Sequence, residues 1–271
     1  MATIPTRVYD RLIIGVKKFQ PILNTAKSRD VNESDTVIII TDMLSDVFGY
    51  DKYSEITSEF TVRSTYCDLA IKIDSKVVFL LEVKAIGLEL KDTYVKQAVD
   101  YAANQGIDFV VLTNGVNWKI YKISFTKPIN QELVFEFDFL NLSHKSSDDI
   151  ERLSLLTKEG WLKSFLYDYH SQKQVLSKFY LSALILSDAV IELIRRELRK
   201  MSPDVKVSSD QIKEVISLEV LKREVIEGDK AEEAKKKIIK TFNKISKTKV
   251  NKQNTNTEPI DLIGTSNIVN K

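Results

Sequence analysis

The sequence predicts a mixed α/β domain followed by an α-helical region. Apolar residues recur at helical spacing through the first fifty residues, and the period changes to two from about residue 58. After about residue 145 the strand signal stops and only helical patterns remain. "RVYDRLIIGVKKF" sets Val8, Leu12, Ile13 and Val16 at intervals of three and four, so it reads as an amphipathic helix that Pro21 bends or ends. "VNESDTVIIITDMLSDVFG" offers Asn32 as N-cap and acids in the first turn, Glu33 among them, and closes at Gly49.

Strands follow. "SEFTVRS" and "YCDLAIKID" alternate, with Cys67, Leu69, Ile71 and Ile73 on one side of the second. Asp74, Ser75 and Lys76 form a short turn, and "VVFLLEVKA" is apolar on both faces, which places it centrally in a sheet. "LKDTYVKQAVDYAANQG" is a helix stopped by Gly106. "DFVVLTNG" and "NWKIYKIS" are two strands about a turn at Asn114-Gly115, and "LVFEFDF" adds an edge strand. Beyond them, "DDIERLSLLTKEG" reads as a short helix and "QVLSKFYLSALILSDAVIELIRRELRK" as one long amphipathic helix. "SSDQIKEVISLEVLKREVIE" continues the helical pattern after Pro203. The expected organisation is a strand-bearing domain over 1–145, a helical region over 146–247, and a polar, disordered tail over 248–271.

Composition narrows the class. With 43% hydrophobic and 29% charged residues the chain reads as a soluble globular protein, without an apolar run long enough to span a membrane. The N-terminus lacks a signal-peptide pattern, and the single cysteine, Cys67, can form no internal disulfide, so a cytoplasmic location is expected. From Asp229 to Lys252 nine lysines stand against three acids. Such a run can follow a phosphate backbone, or simply solubilise a helix and tail.

The chemistry concentrates in "FLLEVKAIG" (79–87). On a strand Glu82 and Lys84 share one face while Phe79, Leu81 and Val83 take the other. Asp68 faces away from Cys67, Leu69 and Ile71, and a three-residue turn over Asp74–Lys76 sets it opposite Glu82. A two-residue turn shifts the register by one and separates them. Two adjacent carboxylates repel unless a cation lies between them, and Mg²⁺ takes hard oxygen ligands of this kind. Such an ion activates water and binds phosphate, and Lys84 can orient that water or neutralise charge on the phosphate. The alternative is a surface salt-bridge cluster, which an apolar central strand makes an odd place to find.

Asp68, thirteen intervening residues and then Glu82-Val83-Lys84 resemble the signature of the PD-(D/E)xK nuclease superfamily. "NESDT", "SEFTVRSTYCDLAIKI", "FLLEVKA", "QAVDYA" and "VVLTNGVNWKIYKI" occur in the order of the N-terminal nuclease domain of type I restriction enzyme R subunits. The resemblance covers roughly residues 30 to 125 and implies a restriction-endonuclease-like mixed central sheet flanked by helices, with the α-helical region following it. It implies Asp68, Glu82 and the Val83 backbone carbonyl as metal ligands, with Glu33 as a further one, and Lys84 as the catalytic lysine. Gln97 and Tyr101 match a QxxxY element that binds phosphate or holds the lysine; four residues apart, they share one helical face. Cys67 stands where the superfamily's name has proline, a position that is not a ligand.

The implied function is a Mg²⁺-dependent nuclease, with Mn²⁺ as a substitute, that hydrolyses DNA in restriction or anti-phage defence, or a phage-borne counterpart. Two other readings stand beside it: a nucleic-acid-binding module of the same fold without turnover, and a ribonuclease toxin. A phosphodiester site serves DNA and RNA alike. No GxxxxGK[ST] phosphate loop occurs, so a separate motor or recognition partner is expected if DNA is to be translocated. The helices after residue 171 can serve a homodimer or pack on their own domain.

Overall fold

The computed structural model describes residues 4–62, 65–125 and 128–254. Two compact units divide the chain, Met1–His170 and Ser171–Lys271.

The first unit is a six-stranded mixed sheet. Its strands are β1 (Ile56–Val62), β2 (Thr65–Ile73), β3 (Lys76–Val83), β4 (Phe109–Thr113), β5 (Asn117–Ser124) and β6 (Asn130–Asp138). They lie in sequence order across the sheet, and every neighbouring pair is antiparallel except β3 and β4. Antiparallel neighbours need only short turns, whereas the parallel β3–β4 pair needs a crossover. That crossover carries a 3₁₀ turn (Asp92–Val95) and helix α3 (Lys96–Gln105), capped by Gly106 at φ 69°, where a side chain would be strained. β6 is an edge strand, as its alternation predicts, and β3 lies inside the sheet.

Helices α1 (Thr6–Ser28) and α2 (Glu33–Asp46) cover one face. The α1 stripe of Val8, Leu12, Val16, Phe19, Leu23 and Ala26 packs in one core with Leu69, Ile71, Phe79, Leu81 and Val83. Because that stripe continues past Pro21, α1 runs through the proline to Ser28 instead of ending there; Pro21 sits on its exposed side, and packing outweighs the lost backbone hydrogen bond. Asn32 caps α2, its side chain accepting from the Asp35 N–H at 2.9 Å. On the other face α3 closes a second core of Ala70, Leu80, Val99, Ala102 and Val110.

The first unit extends beyond residue 145, where the strand-bearing domain was expected to end. Helices α4 (Ser147–Ser154), α5 (Lys158–Leu162) and the start of α6 (Phe165–Val175) belong to it. Ile150, Leu153 and Leu166 enter the α1 core, and Arg11 of α1 makes a two-pronged ion pair with Glu159 of α5 at 3.0 and 2.7 Å.

In the second unit the expected long helix is broken into the end of α6, α7 (Lys178–Ile185) and α8 (Asp188–Met201). Ser177 and Ser187 take extended backbone at the breaks; the Ser177 hydroxyl caps α7 by accepting from the Tyr180 N–H, whereas the Ser187 hydroxyl donates back to the Leu184 carbonyl. The pattern after Pro203 is likewise divided, into α9 (Ser209–Val215), a π-turn (Ile216–Val220) and α10 (Arg223–Ile226). Helix α11 (Asp229–Asn254) takes in residues 248–254 of the stretch read as tail; residues 255–271 lie outside the described ones. None of the described helices is long and apolar enough to cross a membrane.

The β2–β3 connection departs from expectation in a way that matters for the site. Its turn has two residues, Asp74 and Ser75, both at positive φ (50° and 63°). Alone this would pair Asp68 with Leu81. A β-bulge intervenes: Lys72 pairs with Val77 but Ile71 pairs with Phe79, so β3 carries one extra residue. The bulge restores the register that a three-residue turn would have produced.

Both turn residues occupy the left-handed region, which costs a non-glycine residue about 1–2 kcal/mol. Replacing Asp74-Ser75 by Asn-Gly should therefore raise unfolding stability by about 1 kcal/mol. Urea denaturation checks this; a lower midpoint would contradict it.

Candidate functional site

The site forms where β2 and β3 part. The last recorded pair of their ladder is Leu69 with Leu81, which makes Asp68 and Glu82 the next residues in the same register. Beyond it the Val83 N–H donates to Asp68 Oδ2 at 2.6 Å. A carboxylate thus does the work of a main-chain acceptor, and Asp68 is fixed by the strand that carries Glu82. Cys67 corrects an expectation here. Its side chain packs with Ala70 and Leu80 on the α3 side, rather than with Leu69 and Ile71, and its thiol donates to the Leu81 carbonyl at 3.0 Å. Burial, reinforced by Glu82 and Asp68, pushes that thiol up to about 12, so it stays neutral.

Lys84 follows on the strand, its backbone N–H donating to the Thr113 carbonyl of β4 at 2.9 Å. Its ammonium donates to Glu82 Oε1 at 2.7 Å and reaches Glu33 Oε2 at 3.5 Å. Side-chain exposure is 16% for Lys84, 12% for Glu82 and 48% for Glu33. Glu33 is the first residue of α2, so the cap at Asn32 sets its position. Four charged groups from three elements therefore converge: Glu33, Asp68, Glu82 and Lys84.

Their electrostatics are those of a site short of positive charge. Burial raises the Asp68 carboxyl above its ordinary value, against the Val83 N–H and Lys84, which lower it. Burial also raises Glu82; the Lys84 hydrogen bond offsets part of this, and repulsion from Asp68 and Glu33 adds to it. Burial alone would lower the Lys84 ammonium, but Glu82, Glu33 and Asp68 together carry it above the usual lysine value. Lys84 is therefore a firm cation at neutral pH.

Glu82 and Lys84 open onto a cleft of about 740 Å³ whose other wall is the 3₁₀ turn and α3. Gln97 and Tyr101 both line it, one helical turn apart as the sequence predicts, Gln97 exposed and Tyr101 only 6% so. The Tyr101 hydroxyl oxygen is itself buried, and burial raises it, so it stays protonated. Asp68 and Glu33 stand outside this lining and reach the site through Val83 and Lys84. Sequence reasoning passed over Lys96, Thr93 and Asp100, which also line the cleft; the adjacency of Lys96 to Gln97 on the first turn of α3 was the available signal.

Asn114 has a structural part. It is buried, its amide donates to the Ile86 and Leu88 carbonyls, and its oxygen accepts from the Val116 and Asn117 N–H groups. It thereby ties the segment leaving β3 to the β4–β5 turn. Tyr121 is similarly an anchor, buried and donating to Asp92 Oδ1 at 2.7 Å, which holds the turn that precedes α3. Trp118 is buried in the α1 core.

Among the described residues, no group of three or more His, Cys, Asp or Glu side chains is arranged to hold a metal ion. Asp68 and Glu82 present two hard oxygen donors, a set that suits an ion that keeps several waters rather than a full protein cage.

Residues 39–134 match the family model of the type I restriction enzyme R protein N terminus, about a third of the 271 residues. The chain resembles that family, and the matched segment holds Asp68, Glu82, Lys84, Gln97 and Tyr101, with Glu33 just upstream of it. Neither a curated protein nor a solved structure matches the chain significantly.

Because both carboxyls have folded-state values above their unfolded ones, the stability linked to them is present at low pH and lost as pH rises through the raised values. Neutral isosteres escape that loss. Asp68→Asn, which keeps an acceptor for Val83, and Glu82→Gln should each raise the Tm by roughly 1–3 °C at neutral pH in chelator. Scanning calorimetry measures this, and a Tm lowered by both substitutions would contradict the electrostatic account.

Proposed function

We propose that the protein is a divalent-metal-dependent deoxyribonuclease, with endonucleolytic cleavage favoured, that serves restriction or anti-phage defence or a phage-borne counterpart of it. One observation carries this reading: Asp68, Glu82 and Lys84 meet at the parting of β2 and β3, and Glu82 and Lys84 open onto a cleft walled by Gln97 and Tyr101. That they all fall within the segment resembling the restriction enzyme family supports it.

Asp68 and Glu82 would hold Mg²⁺ or Mn²⁺, with the Val83 carbonyl as a further ligand, while Glu33 stays beside Lys84 at 3.5 Å instead of completing a third carboxylate ligand. When bound, the ion supplies a lowered pKa for water and neutralisation of phosphate charge. The remaining work belongs to the chain. Lys84, held protonated by Glu82 and Glu33, is a donor to phosphate oxygen or to water and not a proton acceptor. Gln97 offers its amide and Lys96 its charge to phosphates lying along α3, and Tyr101 lines the same cleft with its hydroxyl buried behind it. The β3 strand fixes Glu82 and Lys84 two residues apart, so both are aimed before substrate arrives.

A restriction enzyme relationship also implies partner subunits for recognition or translocation, and the proposed role is that of a nuclease component or a stand-alone nuclease. Purified chain incubated with plasmid, linear DNA and RNA should cleave DNA in Mg²⁺ or Mn²⁺ and stop in EDTA. Glu82→Ala should fall to background and Lys84→Ala should lose on the order of 10²–10³-fold in rate. Equal cleavage by wild type and both variants would overturn the assignment. DNA binding without turnover would favour the binding-module reading, and cleavage confined to RNA the ribonuclease.

A further inference from the structure

The two units carry opposite charge. Residues 1–170 hold twenty Lys and Arg against twenty-four Asp and Glu, a net of −4; residues 171–271 hold twenty against fourteen, a net of +6. A net-negative unit whose site gathers Glu33, Asp68 and Glu82 repels a polyanion. Retention of a nucleic acid therefore needs cations from elsewhere in the chain.

Several cations of the second unit are already engaged. Lys178 pairs with Glu224, Lys200 with Glu197, Lys213 with Asp188, Arg223 with Glu227, Lys235 with Glu232 and Lys237 with Glu233. Arg199, Lys206, Lys222, Lys230, Lys236 and Lys240 are exposed and have no hydrogen-bond or ion-pair partner among the described residues. Of these, Arg199 and Lys206 face a common groove of about 600 Å³ between α8 and the segment that follows it. Arg195, one turn before Arg199, lines it too, its guanidinium held by Glu192 at 3.0 and 2.7 Å. No acid lines this groove. An adjoining hollow shares Arg195 and Arg199 and adds Arg196, with Glu192 at its side.

Arg195 and Arg199 are separated by roughly 6 Å along the helix axis, the scale of neighbouring phosphates on one strand. Guanidinium groups match phosphate oxygens in two-pronged fashion, and Lys206 adds a point charge opposite them. Pro203, Val205 and Val207 supply an apolar wall, and the polar side chains of Ser208 and Gln211 are taken up with each other in the capping box of α9.

We propose that this groove, centred on Arg195, Arg199 and Lys206, binds the sugar-phosphate backbone of nucleic acid without sequence preference. As the holding site for a substrate it rests on the nuclease reading, but its binding needs no turnover.

The test is fluorescence anisotropy of a labelled DNA duplex with the full chain in EDTA, titrated over a range of salt. Wild type should bind with affinity that falls steeply as salt rises. The Arg199→Glu/Lys206→Glu double variant should lose at least about tenfold in affinity, with a log–log salt slope shallower by about 2. Lys236→Glu/Lys240→Glu on α11 makes the same change of charge at exposed lysines outside the groove, and should stay within about threefold of wild type. Far-ultraviolet circular dichroism confirms that each variant is folded. Equal losses in the two variants would overturn the groove in favour of a diffuse field, and no loss in either would overturn it outright. Retained DNA binding with lost binding to vesicles of anionic lipid would assign the groove to a membrane surface instead. Because chelator silences cleavage throughout, a negative result here leaves the cleavage assay to judge the nuclease reading separately.

Discussion

The hydrogen bond from the Val83 N–H to Asp68 Oδ2 is the interaction on which the candidate site depends. It exists because β2 meets β3 in one register and then leaves it, so that a side chain takes over from the main chain. The register has two causes that must act together, a two-residue turn at Asp74-Ser75 and one extra residue in β3 opposite Ile71 and Lys72. Either alone would pair Asp68 with a different residue and carry Glu82 away from it. A one-residue slip reverses the faces of a strand, so a bulge at the far end of β3 decides whether two carboxylates meet.

The consequence is a local concentration of charge that the fold does not neutralise by itself. Lys84 answers part of it, bridging Glu82 and Glu33, yet the two strand carboxyls still sit above their ordinary values. Groups arranged at a cost to stability, around a cleft, are the pattern of a functional site more than of a structural ion pair. The apolar cores on both faces of β3 make the arrangement rigid: Phe79, Leu81 and Val83 fix one face of the strand while Leu80 and α3 fix the other. Charge also separates on a larger scale, with the acidic excess in the unit that holds the site and the basic excess in the helical one.

Much of this was legible in the sequence. Alternation placed Glu82 and Lys84 on one face, the four-residue spacing placed Gln97 and Tyr101 on one side of α3, and Asn32 and Gly106 marked helix ends that the structure keeps. Other features were hidden for physical reasons. "VVFLLEVKA" is apolar on both faces, so its pattern has no phase from which a bulge could be read. Asp-Ser is also a weak signature for a turn that requires two positive φ angles. Ser177 breaks the helical run by capping α7 and Ser187 by bonding back to the Leu184 carbonyl, local choices to which hydrophobic spacing alone is blind. Pro21 was overruled in the opposite direction, by an α1 stripe with enough buried surface to outweigh one missing donor. Glu33, fifty-one positions away from Lys84, was legible only through the family resemblance, because no local spacing brings it to the site.

The central claim is that the register of β2 on β3 makes a cation site from Asp68 and Glu82. Titration of Mn²⁺ into the full chain, followed by electron paramagnetic resonance, addresses it without reference to any substrate. One bound ion in the wild type, lost in both Asp68→Asn and Glu82→Gln, is the result this account requires. Binding that persists unchanged in both variants would contradict it.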